Sequence, residues 1–135
     1  MVRKSNLALI ILLFASSATL LATSNGAWLH KVPAKEHDRE NPYRDQQDAI
    51  AAGHRVFREH CAQCHGEDAE GTKKRPSLRS QRVQQQATEG DLHWLLVNGS
   101  MAYGMPSWAK LGDAQIWQVI TYVRSLQEST PAKPQ

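Results

Sequence analysis

The chain has 135 residues, 41% hydrophobic and 21% charged, which bounds it to one soluble domain with extensions. Sixteen Lys and Arg against 13 Asp and Glu leave a formal charge of +3. That is too weak for a nucleic-acid binder, and no basic stripe with interleaved aromatics appears. The chain has two cysteines, three positions apart, so it is not a disulfide scaffold.

In chain order, Arg3 and Lys4 precede an uncharged, mostly apolar run over residues 7–22. A short basic start before such a run reads as a secretory signal, with Ala22, Thr23 and Ser24 as small residues for cleavage. The uncharged stretch extends to residue 29 and is also just long enough to span a bilayer. Residues 1–24 are therefore expected to form a signal peptide or an uncleaved membrane anchor. Either way the basic end stays inside and the remainder is exported, to the periplasm in a bacterium. Residues 25–47 are polar, carry Pro33 and Pro42 and show no apolar period, which suits a linker or an arm lying over the domain.

Three helical patterns follow. Residues 48–60 place Ala49, Ala52, Gly53, Val56, Phe57 and His60 along one face. Residues 88–97 open with Thr88 and Asp91 at capping-box spacing, Asp replacing the usual Glu, and stop at Asn98-Gly99. Residues 113–126 carry Ile116, Val119, Ile120, Val123 and Leu126 at helical spacing. The segments between, 66–87 and 99–112, are rich in Gly, Pro, Ser and charge and read as loops. Residues 128–135 read as a disordered tail. The fold class is all-α. A helical domain of roughly 80 residues with long loops has a thin core of its own and needs something large and apolar to fold around.

The two cysteines sit in HCAQCHG, residues 60–66, as Cys61, Cys64 and the adjoining His65. A structural zinc site asks for about four ligands, commonly two such pairs. A thioredoxin-like dithiol asks for strand and helix alternation around the pair. Neither context is present. Covalent haem meets each requirement: two thiols at this spacing reach two vinyl groups, and the next residue turns an imidazole beneath the ring.

With that motif in place, the chain resembles a small monohaem class I c-type cytochrome over residues 48–127. GHRVFREHCAQCHG carries Gly53, Phe57 and Cys61 at intervals of four, and ITYVRSL carries Tyr122. The resemblance implies a cytochrome c fold of about three main helices and long loops around one haem c with its iron. It also implies that the first and last helices cross, with Gly53 allowing close approach and Phe57 meeting Tyr122. His65 would be one axial ligand. Met105, in GMPSW and forty positions after His65, is similar to the family's distal ligand. Met101 and His93 are the alternatives. Met101 is expected to pack near the haem, and His93 to lie on the surface or be satisfied locally. Pro76 would offer its carbonyl to His65, with Leu78 packing on the haem. Trp108 is expected near a haem propionate, and Trp94 and Trp117 in the core around the ring. Gly112 departs from the family, which often has proline before the last helix.

These residues imply a one-electron carrier rather than an enzyme, monomeric if free. Its partners would be a periplasmic dehydrogenase, a quinol-oxidising complex or a terminal oxidase. Lys73, Lys74, Arg75, Arg79 and Arg82 form a basic stretch that would either steer docking or remain a solvated loop. The rival readings are a haem subunit of a larger dehydrogenase or oxidase complex, and a haem enzyme or gas sensor with an open sixth position.

Overall fold

The computed structural model describes residues 26–127. The expected signal or anchor, residues 1–24, and the expected tail, 128–135, lie outside them. Among the described residues there are five α-helices, α1 (Ala34–His37), α2 (Gln47–His60), α3 (Ala62–His65), α4 (Glu89–Asn98) and α5 (Asp113–Ser125), with short 3-10 or π turns before α1, between α3 and α4, and between α4 and α5. Among the described residues there is no strand. A single antiparallel bridge joins Ser100 and Met105. None of the described helices is long and apolar enough to cross a membrane.

The scaffold is the crossing of α2 with α5, the most extensively packed helix pair. The α2 face that meets α5 is the one its period predicts, with Ala49, Gly53, Val56 and Phe57 buried. A Cβ on Gly53 would lie 1.9 Å from the Gln118 carbonyl oxygen, so here one backbone rests directly on the other. One turn on, Phe57 is fully buried and tilts against the Tyr122 ring at 5.2 Å between centroids. α5 starts after Gly112, whose φ of 78° is closed to proline. This accounts for the departure noted above: the chain enters α5 through a left-handed turn that only glycine adopts without strain.

α4 begins with both bonds of a capping box. The Asp91 N–H donates to Thr88 Oγ1 (3.1 Å), and the Thr88 N–H donates to Asp91 Oδ2 (2.8 Å). Against this end of α4 sits the segment read as a linker or arm. It is an arm in contact with the domain along its length, containing a 3-10 turn at Ala27–Lys31 and then α1. Gly90 lets α1 approach, since a Cβ there would meet the Glu36 carbonyl at 2.0 Å. The sequence shows no apolar period here because the contacts are mainly polar. His37 Nδ1 pairs with Asp91 Oδ1 at 2.9 Å. Buried Asn41 donates to Glu89 Oε1 and Thr121 Oγ1, and Arg44 donates through Nε and a terminal nitrogen to Glu89 Oε2.

Two segments read wholly as loops contain helical turns. A π turn, Arg82–Gln86, buries Val83 and Gln84, and Arg124 from α5 donates to the carbonyls of Val83 and Ala87. Residues 99–112 hold two 3-10 turns, Met101–Tyr103 and Ala109–Leu111. Turns this short have no apolar period to detect. The buried apolar residues fall into two clusters, a larger one around Trp28, Leu92, Trp117 and Ile120 and a smaller one around Val56, Phe57 and Val119.

Candidate functional site

Members of both clusters line one cleft: Trp28, Val83, Leu92, Ile120 and Val123 from the larger, Phe57 and Val119 from the smaller. About 1240 Å³ within it holds no protein atom, part of that space being open to solvent. Cys61, Cys64, His65, Pro76, Leu78, Met105 and Trp108 all line this same cleft. The fold thus brings together residues up to 47 positions apart in the chain, from Cys61 to Trp108.

The cysteine motif is placed by the end of α2. The Cys61 N–H caps the helix on the Phe57 carbonyl (2.8 Å), and the next turn, α3, carries Cys64 and His65. Neither cysteine is in a disulfide. Burial, together with the neighbouring Cys64, pushes the Cys61 thiol up to about 12. A thiol so disfavoured as thiolate is a poor redox nucleophile, which argues against a dithiol switch.

The loop after α3 folds back on itself. The Gly71 N–H donates to the His65 carbonyl (2.7 Å) and the Leu78 N–H to the Ala69 carbonyl (2.9 Å). A Cβ on Gly71 would stand 2.6 Å from the Ser77 nitrogen, so glycine is needed for the two limbs to lie together. That return brings the Pro76 carbonyl to 3.0 Å from His65 Nδ1. A carbonyl only accepts, so Nδ1 carries the proton and the Nε2 lone pair is left for a metal. Burial lowers the affinity of His65 for a second proton, the Pro76 carbonyl opposes this and nearby Arg75 reinforces it.

Met105 is set by a tight reverse turn. Ser100 and Met105 exchange both backbone hydrogen bonds, 2.8 and 3.1 Å, and Gly104 closes the turn at φ 72°. The turn is fastened to α4, since the Trp108 N–H donates to the Leu96 carbonyl (2.8 Å) and Ser107 Oγ to the Val97 carbonyl. Arg75 donates to the Tyr103 carbonyl, tying the loop that holds His65 to the loop that holds Met105.

Several sequence-based expectations need correction. Met101 does not line the cleft: it is 72% exposed, whereas Tyr103, Gly104 and Met105 of the same turn border it. Trp117 is in the core as expected but, like Trp94, does not line the cleft. Trp117 is buried on another side of α5, stacked on His93 at 4.2 Å and under the Arg39 guanidinium. Of the two readings of His93 the locally satisfied one holds: it is 2% exposed, with Nε2 2.7 Å from Asp113 Oδ1 and Nδ1 3.1 Å from Arg39. The basic stretch divides. Arg79 is consumed by the Asp68 and Leu126 carbonyls and Arg75 by Tyr103, while Lys73 and Lys74 remain exposed. His60 faces solvent yet lines the cleft, tilted against Trp108 at 5.5 Å. Trp28 is the residue that sequence reasoning missed, because an isolated tryptophan in a polar segment has no periodic context.

The donor set and walls fit a covalently held haem. Two thiols, an imidazole with its outer nitrogen already hydrogen-bonded and a thioether border a mostly apolar cleft. Comparison with known proteins agrees. Residues 48–123 match the family model described as cytochrome C oxidase, cbb3-type, subunit III. The cbb3-type cytochrome c oxidase subunit CcoP of Rubrivivax gelatinosus is 34% identical over 79 residues, covering 58% of this chain and 26% of that protein. Its counterpart in Rhodobacter capsulatus is 36% identical over 95 residues, covering 56% of this chain and 28% of that protein. The chain therefore spans about a quarter of the length of these relatives. Among solved structures, cytochrome CL from Methylophaga aminisulfidivorans MPT is 28% identical with a TM-score of 0.54, over 64% of this chain and 58% of that one. The chain belongs to the cbb3-type cytochrome c oxidase subunit III family, as a small all-α class I c-type cytochrome domain whose cofactor is one covalent haem c.

Proposed function

We propose that this chain is a one-electron relay rather than an enzyme, with its haem c held by Cys61 and Cys64 and the iron between His65 and Met105. The observation that carries the reading is the arrival of His65, from α3, and Met105, from the 100–105 turn, on one mostly apolar cleft, with Arg75 tying the segment after α3 to that turn. When bound, the haem supplies a ferric–ferrous couple, and a histidine–methionine ligand pair favours the ferrous form.

The chain's own residues do the rest. The Pro76 carbonyl holds the His65 ring in one tautomer and orientation, so Nε2 need not reorient between oxidation states. The Ser100–Met105 bridge fixes the backbone from which Met105 reaches the cleft. The aliphatic and aromatic walls exclude water, which disfavours the extra positive charge of the ferric state and raises the potential. Leu78 belongs to that wall. The Trp108 indole lines the cleft beside His60, and its N–H would donate to an acidic haem substituent.

The relay would work outside the cytoplasm, delivered by the signal or anchor at residues 1–24. The names of the two CcoP relatives support a terminal oxidase complex as partner, with this chain as an attached haem subunit rather than a free carrier. A periplasmic dehydrogenase or quinol-oxidising complex is the other class of partner. The open-site enzyme or sensor reading is disfavoured by the position of Met105.

The test is an optical spectrum of ferric protein matured with a haem-attachment system, beside Met105→Ala. Wild type should show the weak far-red band of thioether ligation, and the variant should lose it and bind carbon monoxide rapidly when reduced. A wild type that lacks the band and binds carbon monoxide readily would sink the relay. Copurification with an oxidase separates subunit from free carrier.

A further inference from the structure

The matched family segment begins at residue 48, so the arm before it has no role assigned by that match. Yet the arm supplies part of the cleft. Trp28 is 8% exposed, belongs to the larger apolar cluster and lines the cleft. Its 3-10 turn has five residues, too few to hold a fixed position unaided. Two features hold it. Upstream, Gly26 at φ 77° lets the chain pass against Arg82, whose side chain a Cβ would meet at 2.8 Å. Downstream, His37, Arg39, Asn41 and Arg44 are bonded to Asp91, Asp113, Glu89 and Thr121.

All four of those partners sit on α4 or α5. The same two helices give Leu92, Leu95, Leu96, Val119, Ile120 and Val123 to the cleft. The arm is thus braced on the polar sides of the two helices whose apolar sides form the cleft, and it returns Trp28 to that cleft.

We propose that Trp28 is a positioning residue for the haem: the arm holds its indole as a wall that keeps water from the ring, raising the reduction potential and restricting small-ligand entry. This rests on the haem relay reading. Replacing so large an apolar side chain with a small one admits solvent, and a more polar surrounding stabilises the ferric charge.

The experiment uses the full chain matured with haem, comparing wild type, Trp28→Ala, Trp28→Leu and Trp28→Phe. Mass spectrometry and the far-red band first establish that haem is attached and thioether-ligated. Wild type without covalent haem would mean that the relay reading itself has failed. With haem in place, Trp28→Ala should shift the ferrous-to-ferric ratio at fixed ambient potential about tenfold toward ferric, or about 59 mV for one electron. Carbon monoxide should combine with the reduced variant several-fold faster, and Trp28→Phe should recover most of both effects. Trp28→Leu keeps the turn apolar without the ring, so it decides the matter if Trp28→Ala does not accumulate. A haem-loaded Ala or Leu variant with wild-type potential and wild-type carbon monoxide kinetics overturns the proposal and leaves the arm a structural wrap.

Discussion

The α4–α5 pair presents two sides that are finished in different ways. On the arm side, side chains of opposite character meet one another: His37 with Asp91, Arg44 with Glu89, Asn41 with Glu89 and Thr121, and His93 between Arg39 and Asp113. Each polar group there is answered by another group of the same chain. On the cleft side, α4 and α5 offer apolar residues, and the end of α2, the turn α3 and the 100–105 turn offer two thiols, an imidazole and a thioether whose natural partner is a ring and a metal. One side completes its own interior. The other takes its missing interior from a cofactor, so its stability is linked to binding.

The strongest way to break this comparison is to prevent attachment. Cys61→Ala with Cys64→Ala should leave a chain that keeps much of its helical far-UV signal but loses near-UV tertiary signal and binds a hydrophobic dye. A double variant that melts cooperatively at the wild-type temperature would show that the cleft side is self-sufficient after all.

The next effect addresses what both sides share. Gly53→Ala places a Cβ 1.9 Å from the Gln118 carbonyl oxygen, and the helices must separate to admit it. Overpacking of this kind should cost about 3 kcal/mol in denaturant unfolding of the haem-loaded protein. An unchanged midpoint would mean that α2 slides on α5 without loss.

Smaller effects should stay on the arm side. Thr88 caps α4 through Asp91 and also donates to the His37 carbonyl (2.8 Å), so Thr88→Ala should cost about 1 kcal/mol. Its visible spectrum should match wild type. A changed far-red band would show that the two sides are not separable.

The smallest effect is a pH dependence with two opposed limbs. Burial lowers the pKa of His93 despite the Asp113 bond that favours its charged form. Its contribution is therefore present above 6.5 and is lost as pH falls through its folded value. Asp91 raises the pKa of His37, whose contribution is fully present below 6.5 and is lost as pH rises through its folded value. Between them these groups give a shallow stability maximum near 6.5, and His37→Gln should flatten the alkaline limb alone. If His37→Gln flattens the acid limb instead, the two histidines are wrongly assigned. Thermal melts across the neutral range read the difference.

Much of the framework was legible because it is written locally. The α2 and α5 faces repeat at helical spacing, and the Thr88–Asp91 box marks the start of α4 within four residues. Cys61, Cys64 and His65 declare a covalent haem site within five. The expected fold class and cofactor both hold. Arg75 and Arg79 were harder to judge, because a backbone carbonyl that recruits a guanidinium leaves no trace in the order of residues.

The sequence by itself determined the three long helices, where α4 is capped, and which side chains are the candidates for holding a haem. These depend on neighbours a few residues apart, where backbone geometry alone dictates who meets whom. Only the tertiary structure decided that Trp28 lines the cleft while Trp94 and Trp117 do not, and that Met105 turns in while Met101 turns out. Those choices are made by contacts between segments tens of residues apart, whose relative placement is set when α2, α4, α5 and the arm pack together.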